Sequence, residues 1–185
     1  MAEVYNEIHR ELIEKSKKGD MRAQFRLYEL YSKAMMNICY RLLNCIETAE
    51  DLLQESFCEA FMKLDTFRYE SSFGAWLKKI VINRCINEIK KRKANVLLFD
   101  DIKKFDSTDE PENIDYEDIQ LNVNKILNAM KLLPEGYRII FSLYLLEGYD
   151  HIEISQILGI TESTSKSQYM RAKEKLKTII KTMQL

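Results

Sequence analysis

The stretch EISQILGITESTSKSQYMRAKEKL, residues 153–176, decides the fold that we predict for the C-terminal part of the chain. A short helical pattern ends at Gly159, Thr161 follows in an N-cap position, and a longer helical pattern then begins. Two helices joined by a tight turn that contains glycine are typical of the helix-turn-helix. The longer helix is unusual because five of the seven residues from Thr161 to Ser167 carry hydroxyls, which compete with the backbone for hydrogen bonds.

The longer helix has two opposite faces when its residues are placed on a 3.6-residue period. One face is an apolar stripe of Tyr169, Ala172, Leu176, Ile179, Ile180 and Met183. The opposite, N-terminal face combines hydroxyls, cations and a thioether: Ser163, Thr164, Lys166, Ser167, Met170 and Arg171. Such a surface suits the major groove of DNA, because hydroxyls permit close approach and cations attract phosphates. A solvated polar face is the alternative interpretation. Ser165 falls on the apolar stripe, where an aliphatic residue would pack better.

The N-terminal half contains two further amphipathic helix patterns. The first spans residues 21–43, with an apolar face of Phe25, Tyr28, Tyr31, Met35, Ile38 and Leu42. In the second, TAEDLLQESFCEAFMKLD at residues 48–65, Thr48 and Asp51 resemble a capping box that would begin the helix. The residues predicted to face inward are Leu53, Phe57, Ala60, Phe61 and Leu64. Those left outside are Glu50, Asp51, Gln54, Glu55 and Glu59.

A further helix, FGAWLKKIVINRCINEIKKRK at residues 73–93, follows a predicted N-cap at Ser72. One of its faces presents Trp76, Lys79, Asn83, Asn87 and Lys90, and the loop before it adds Phe67, Arg68 and Tyr69. Aromatic rings, amides and cations together suit unstacked bases, because rings stack, amides read base edges and cations hold phosphates. The alternatives are a core tryptophan and a solvated cationic helix end. Asn83 favours a surface that binds bases, since an asparagine in mid-helix is poor in helix propensity.

Charge is distributed unevenly along the 185 residues, although the net charge is only −1. Residues 1–95 carry a net charge of +3, residues 96–125 carry −6, and residues 126–185 carry +2. The acidic middle segment lacks a continuous helical period and contains Pro111. We therefore predict an all-α protein with two small helical domains, residues 1–95 and 126–185. An acidic flexible linker, residues 96–125, would join them.

The composition argues against several other classes of protein. The four cysteines form no C-x-x-C pair, so we expect reduced core thiols in a cytoplasmic protein and neither a metal nor another cofactor. No stretch approaches a membrane span, and the N-terminus lacks the apolar run of a signal peptide. His9 and His151 lie far apart, with no nucleophile motif near either. We therefore expect surface or capping roles for them, no catalytic residue, no enzyme and no small-molecule substrate.

Both helical blocks resemble one family, the extracytoplasmic-function sigma factors of bacterial RNA polymerase. AEDLLQESF at residues 49–57 resembles the AED-x-x-Q-E-x-F motif of region two, and residues 67–93 resemble the F-R-x-x-S-x-F-x-x-W-L segment and the helix after it. Residues 133–177 resemble region four, with its LP-x-x-x-R, EG and EIA-x-x-L elements. Two such motifs in the right order around an acidic linker are far more specific than either alone.

The resemblance implies a role for each surface. Glu50, Asp51, Gln54 and Glu55 match the face that binds the clamp of the largest polymerase subunit. Phe67, Arg68 and Asn83, with Tyr69, Trp76 and Lys79 beside them, match the part that captures a flipped base of the −10 promoter element. Ser163, Thr164, Lys166, Ser167, Met170 and Arg171 match the helix that reads the −35 element. The expected partners are core polymerase, at its clamp and flap, promoter DNA, and an anti-sigma factor.

The sequence also departs from the family pattern at four positions. Asn87 stands where the family usually has Asp, and Ser155 where it has Ala. Ser165 replaces a usual valine and Gln168 a usual arginine, so one phosphate contact is expected to be missing. Two other classes stay open from the sequence: a stand-alone helix-turn-helix regulator that binds duplex operators, and a helical adaptor that binds no DNA.

Overall fold

The structure, a computed structural model, describes the backbone of residues 7–96 and 123–183 and the side chains of residues 7–92 and 125–183. The described residues form helices and no strands, which confirms the predicted all-α fold over that part of the chain. The helices are α1 (Arg10–Lys17), α2 (Met21–Leu43), α3 (Ile46–Met62), α4 (Phe73–Val96), α5 (Val123–Lys131), α6 (Glu135–Phe141), α7 (His151–Leu158) and α8 (Glu162–Thr182). A 3₁₀ turn spans Leu64–Thr66 and a π-helical turn spans Ser142–Leu146.

Contacts divide the chain into two compact units, residues 1–89 and 90–185. The predicted linker, residues 96–125, lies almost wholly outside the described residues. Within the described residues, no helix combines the length and apolar character that crossing a bilayer requires. Nor do three or more His, Cys, Asp or Glu side chains in that part of the chain gather closely enough to hold a metal ion.

The N-terminal unit is built around α2, which packs against both α1 and α3. Asp20 begins α2, because its carboxylate accepts the N–H groups of Arg22 and Ala23 at 2.9 and 3.2 Å. Asn44 ends it in the left-handed region at φ 54°. The predicted apolar face is correct for Met35, Ile38 and Leu42, which are buried. It is wrong for Phe25, which is exposed because α2 turns Leu27 toward the core instead.

The starts of α3 and α4 test two predicted caps. The capping box at Thr48 is wrong, because α3 begins at Ile46 and Thr48 lies inside its first turn. Cys45 occupies the N-cap position without a side-chain hydrogen bond to the helix backbone. The cap at Ser72 is confirmed, since its hydroxyl accepts the Ala75 N–H at 3.1 Å.

The C-terminal unit has its core where α5, α6 and α8 meet. The buried residues of this cluster are Ala129, Met130, Leu133, Phe141, Ala172 and Leu176. Leu143 of this unit is buried, whereas Leu146, three residues later, is exposed. The π-helical turn explains the difference, because it adds a residue to the turn and rotates the following side chains out of the α-helical register.

The helix-turn-helix is present and its boundaries are capped. Asp150 and Glu153 form a capping box at the start of α7. Gly159 ends that helix at φ 72°, a left-handed conformation that favours glycine. Thr161 caps α8, since its hydroxyl accepts the Thr164 N–H at 3.1 Å, as the sequence predicts.

Candidate functional site

The first candidate surface is the N-terminal half of α8. Thr164 is half-buried and the other five predicted residues are exposed: Ser163, Lys166, Ser167, Met170 and Arg171. Their exposure follows from the burial of Ala172 and Leu176, which fixes the opposite side of α8 against the core. The helix therefore presents a polar surface over its first three turns.

The hydroxyls on this surface are held by bonds within α8. The Ser167 hydroxyl donates to the carbonyls of Ser163 and Thr164 at 3.0 and 3.1 Å, and Thr164 shares a hydroxyl–hydroxyl bond of 2.8 Å with Thr161. Hydroxyls bonded in this way keep lone pairs free and lie close to the helix axis. The hydroxyl-rich start is therefore compatible with a helix and keeps the surface narrow enough for a groove.

The two cations of the α8 surface differ in their surroundings. Lys166 forms an ion pair of 2.6 Å with Glu162, one turn earlier. Arg171 is exposed and has no ion-pair partner within the side chains that the structure describes. An ion pair on the surface contributes little to stability and is easily exchanged for a phosphate. Both cations can therefore reach an anionic partner.

A polar cluster around the buried Ser165 lies beneath the α8 surface. Ser165, the misfit of the apolar stripe, is fully buried, and its hydroxyl lies 2.9 Å from Nδ1 of His151. The His151 ring stacks on Tyr144 at 4.5 Å between centroids, and Tyr144 lies 4.4 Å from Tyr169. Burial raises the pKa of Tyr169 above its ordinary value. The cluster therefore ties α7, the π-helical turn and α8 together.

This cluster corrects two expectations from the sequence. His151 does not cap α7, since Asp150 does, and its half-buried imidazole is a partner of Ser165. Ser165 is a partner for that imidazole rather than a defect in packing. The polar residue on an apolar stripe was the signal available in the sequence, but its partner on another helix was not.

The second candidate surface is formed by α4. Lys79 and Asn83 are exposed on it, as are Asn87 and Lys90 further along the helix. Trp76 is half-buried, with its ring 5.4 Å from that of Phe67 and 5.7 Å from that of Phe73. The tryptophan thus packs one side on the core, while the amide and the cations face outward.

The loop before α4 differs from the expectation that its aromatic rings are open to bases. Phe67 and Tyr69 are only 3 % and 7 % exposed, whereas Arg68 between them is exposed. The two rings turn inward because they pack on each other at 4.7 Å and on the aromatic start of α4. In this conformation the loop presents a cation and not a stacking platform. Binding of the −10 element by this loop stays a prediction.

The third candidate surface is the acidic face of α3. Glu50, Asp51, Gln54 and Glu55 are all exposed. Beside it runs an open groove of about 390 Å³ between α2 and α3. The groove is lined by Tyr28, Ser32, Lys33, Met36, Glu50, Leu53 and Gln54. The face therefore offers carboxylates next to a shallow, partly apolar recess.

Arg84 is a residue of this region that the sequence analysis missed. It reaches from α4 to the carboxylates of Glu55 and Glu59 on α3, each at 2.5 Å. Hydrogen bonds from Lys63 first and Arg84 second hold the pKa of Glu59 below its ordinary value. The arginine locks the acidic face of α3 to the helix that carries Asn83. No motif distinguishes Arg84 from a solvated cation in the sequence.

Family models match segments of both units. Residues 27–95 match the family model for sigma-70 region 2, and residues 124–176 match that for sigma-70 region 4. Among curated proteins, the chain is 30% identical over 173 residues to the ECF RNA polymerase sigma factor SigW of Bacillus subtilis, covering 89% of this chain and 92% of SigW. It is also 30% identical over 161 residues to SigM of the same organism, covering 83% of this chain and 92% of SigM.

Solved structures share the fold at lower identity. The sigma factor RpoE, in a co-crystal structure with the anti-sigma factor NepR from Bartonella quintana, is similar with a TM-score of 0.55 at 24% identity, covering 84% of this chain and 95% of RpoE. CnrH, in complex with the cytosolic domain of CnrY, is similar with a TM-score of 0.54 at 20% identity, covering 94% of this chain and 97% of CnrH. Both likenesses concern the fold.

Proposed function

Since this chain belongs to the extracytoplasmic-function sigma factors of RNA polymerase, we propose that it binds core polymerase, recognises the −35 and −10 promoter elements and promotes DNA melting. The observation that carries the proposal is that two surfaces suited to DNA lie on separate units of one chain. A regulator that binds operators alone needs only the α8 surface.

The acidic face of α3 is the proposed contact with the polymerase clamp. Its four predicted residues are exposed and lie beside an open groove, so a cationic helix of the polymerase could rest on both. The ion pair of Glu55 with Arg84 would have to be shared or exchanged on binding. Asp51 and Gln54 are therefore the better candidates for the specific contact.

Region two, residues 1–95, is the proposed reader of the −10 element. Arg68, Lys79 and Asn83 are exposed and combine two cations with an amide, which suits a phosphate and a base edge. Capturing a flipped base costs a few kcal/mol of unstacking, which favours a step that is already weak. The buried rings of Phe67 and Tyr69 support this surface from below and could stack on a base only after rearrangement.

Region four, residues 126–185, is the proposed reader of the −35 element. The start of α8 supplies hydroxyls and cations, and the helix N-terminus itself favours a phosphate. The cluster of His151 and Ser165 holds the two helices of the helix-turn-helix at a fixed distance. Arg171 could read a guanine bidentately or hold a phosphate.

The two regions carry net charges of only +3 and +2, which is weak for binding free DNA. We therefore propose that polymerase holds them apart at the spacing of the promoter elements, so that effective concentration strengthens two weak contacts. The acidic linker, residues 96–125, would span the distance. Polymerase performs the chemistry, so no residue of this chain is assigned a catalytic role. Its place of action is the cytoplasm, and an anti-sigma factor is a proposed regulator.

Association with core polymerase tests the proposal first. Bacterial core polymerase is mixed with wild type, with Asp51→Ala/Gln54→Ala, or with Asp65→Ala, which also removes one exposed carboxylate from this unit. Gel filtration should show co-elution that the double substitution abolishes and the control keeps. Absence of co-elution, together with salt-sensitive duplex binding by the protein alone, would support an operator-binding regulator instead.

A further inference from the structure

A single buried carboxylate joins the start of α1 to the start of α4. Glu7 is 4 % exposed, and its carboxylate accepts the Phe73 N–H at 2.7 Å and the His9 N–H at 3.0 Å. Phe73 is the first residue of α4 and His9 precedes α1. Both N–H groups lie at helix N-termini, where a negative charge is favoured. The segment before α2 thus fixes the end of the loop that leads into α4.

A second contact holds the middle of the same loop. The Tyr69 hydroxyl donates a short hydrogen bond to Glu14 of α1. Tyr69 has φ 59°, a left-handed conformation that is unfavourable for a tyrosine and persists only when surrounding contacts hold it. Burial, and then the bond to Glu14, raise the pKa of Tyr69 above its ordinary value. The same hydrogen bond keeps the pKa of Glu14 below its ordinary range.

Cations of α1 complete the attachment. Nζ of Lys17 donates to the Phe67 carbonyl at 3.3 Å and to Glu14 at 3.2 Å. The Arg10 guanidinium lies 4.7 Å and Lys17 Nζ 4.8 Å from the centre of the Tyr69 ring, which are cation–π distances. The loop is therefore held by α1 at residues 67 and 69, and by Glu7, which precedes α1, at residue 73.

These attachments decide which loop side chains face outward. Because the side chains of Phe67 and Tyr69 turn inward, the intervening side chain of Arg68 is turned to solvent. We propose that α1, which precedes the segment matched by the family model at residues 27–95, positions Arg68 for the −10 element. Glu14 and Tyr69 are its positioning residues. The inference rests on the proposed function, since it assumes that Arg68 contacts promoter DNA.

The test uses the full chain bound to core polymerase. The probe is a promoter duplex that wild-type holoenzyme selects from a library randomised at both promoter elements, and a fork of that promoter already melted at −10. The variants are Glu14→Ala, Glu14→Gln, Tyr69→Phe and Arg68→Ala. Glu11→Ala is the matched control, since Glu11 lies on the same helix but pairs with Lys15 at 2.7 Å and has no contact with the loop among the described side chains.

We expect Glu14→Ala to weaken binding to the melted fork about tenfold, as loss of a hydrogen bond to a charged group would. Glu14→Gln should recover most of it, because an amide oxygen still accepts the Tyr69 hydroxyl. Tyr69→Phe should add little to Glu14→Ala, since both remove the same bond. Core association and duplex binding at −35 should stay unchanged in all variants, as should every property of Glu11→Ala.

Three results would overturn the inference, and they separate it from the proposed function. If Arg68→Ala weakens fork binding and Glu14→Ala does not, α1 has no positioning role and the proposed function stands. A Glu14→Ala variant that loses core association and fork binding alike has a general structural defect, which also overturns the inference. If wild-type holoenzyme does not bind the fork at all, the proposed function and the inference both fail.

Discussion

The two surfaces proposed to meet DNA are held in different ways. On α8 the hydroxyls of Thr164 and Ser167 are bonded to residues three or four positions away, at the N-cap or within the helix. In the loop before α4, the anchoring bonds join residues separated by 50, 55 and 66 positions along the chain. A surface whose bonds lie within one helix can be predicted from helical periodicity. A surface held by residues far away in the sequence depends on partners that the periodicity does not reveal.

The largest effect is expected where one side chain serves two helices. Glu7→Ala should lower the free energy of unfolding of the N-terminal unit by about 3 kcal/mol, since two N–H groups lose a charged acceptor. Denaturant unfolding followed by fluorescence measures that unit specifically, because Trp76 is the only tryptophan of the chain. Glu11→Ala, which breaks only a surface ion pair, should change it by less than about 0.5 kcal/mol. Equal effects of the two substitutions would mean that Glu7 stabilises the fold no more than a surface ion pair does. The loop before α4 would then not depend on support from far along the chain.

The support of α8 can be tested at the hydrogen bond that joins Ser165 to His151 on α7. Ser165→Val places the residue that the family pattern favours, yet it should destabilise the C-terminal unit by about 1 kcal/mol, because Nδ1 of His151 loses its partner. Circular dichroism follows the helices of both units and Trp76 fluorescence only the N-terminal unit, so the substitution should shift the circular dichroism transition while the Trp76 transition does not move. Adding His151→Phe should restore stability, since the partner that needs the hydroxyl is then gone. Greater stability of Ser165→Val alone would mean that the hydroxyl is a defect after all.

The exposed cations of α8 should contribute to DNA binding, in a way that depends on salt, and little to the stability of the fold. Arg171→Ala should make the salt dependence of holoenzyme binding at −35 shallower by about 0.9 in log–log slope, the value for one lost phosphate contact. Lys166→Ala should change the slope less, because Lys166 is shared with Glu162. Lys181→Ala, near the far end of α8, is the control. An unchanged slope for Arg171→Ala would assign Arg171 to base reading or to no contact.

The smallest effect on stability is expected when the pH is lowered. The pKa of Glu59 is lowered in the fold, so its bonds to Lys63 and Arg84 stabilise the N-terminal unit above the ordinary carboxyl pKa of 4.5. That contribution should disappear as the pH falls through the lowered pKa. Wild type should therefore be more stable than Glu59→Gln at pH 7, and the difference should narrow as the pH falls below the ordinary carboxyl pKa of 4.5 and through the lowered pKa of Glu59. Denaturant unfolding followed by Trp76 fluorescence across this pH range tests whether the stability difference narrows, as expected, or widens.

The sequence predicts the helices, the helix-turn-helix and the outward faces of α3 and α8 well. Each depends on spacing within one helix, and caps such as Ser72 and Thr161 are local too. The exposure of Phe25 and Leu146 has local causes that the spacing does not encode, namely the rotation of α2 and a π-helical turn. The burial of Phe67 and Tyr69 could not be predicted from spacing, since their contacts on α1 lie fifty or more residues away in the sequence.

The carboxylate of Glu7 also bears on the order in which the molecule can form. A chain synthesised from its N-terminus contains Glu7 long before Phe73, and the bond between them closes only after 66 further residues have appeared. The helix-turn-helix needs a separation of only 14 residues between His151 and Ser165. Folding slows as contacts become more distant along the chain, because the entropy of closing a loop must be lost before the contact forms. The N-terminal unit should therefore fold more slowly than the C-terminal one, and the loop around Arg68 should be among its last parts to settle.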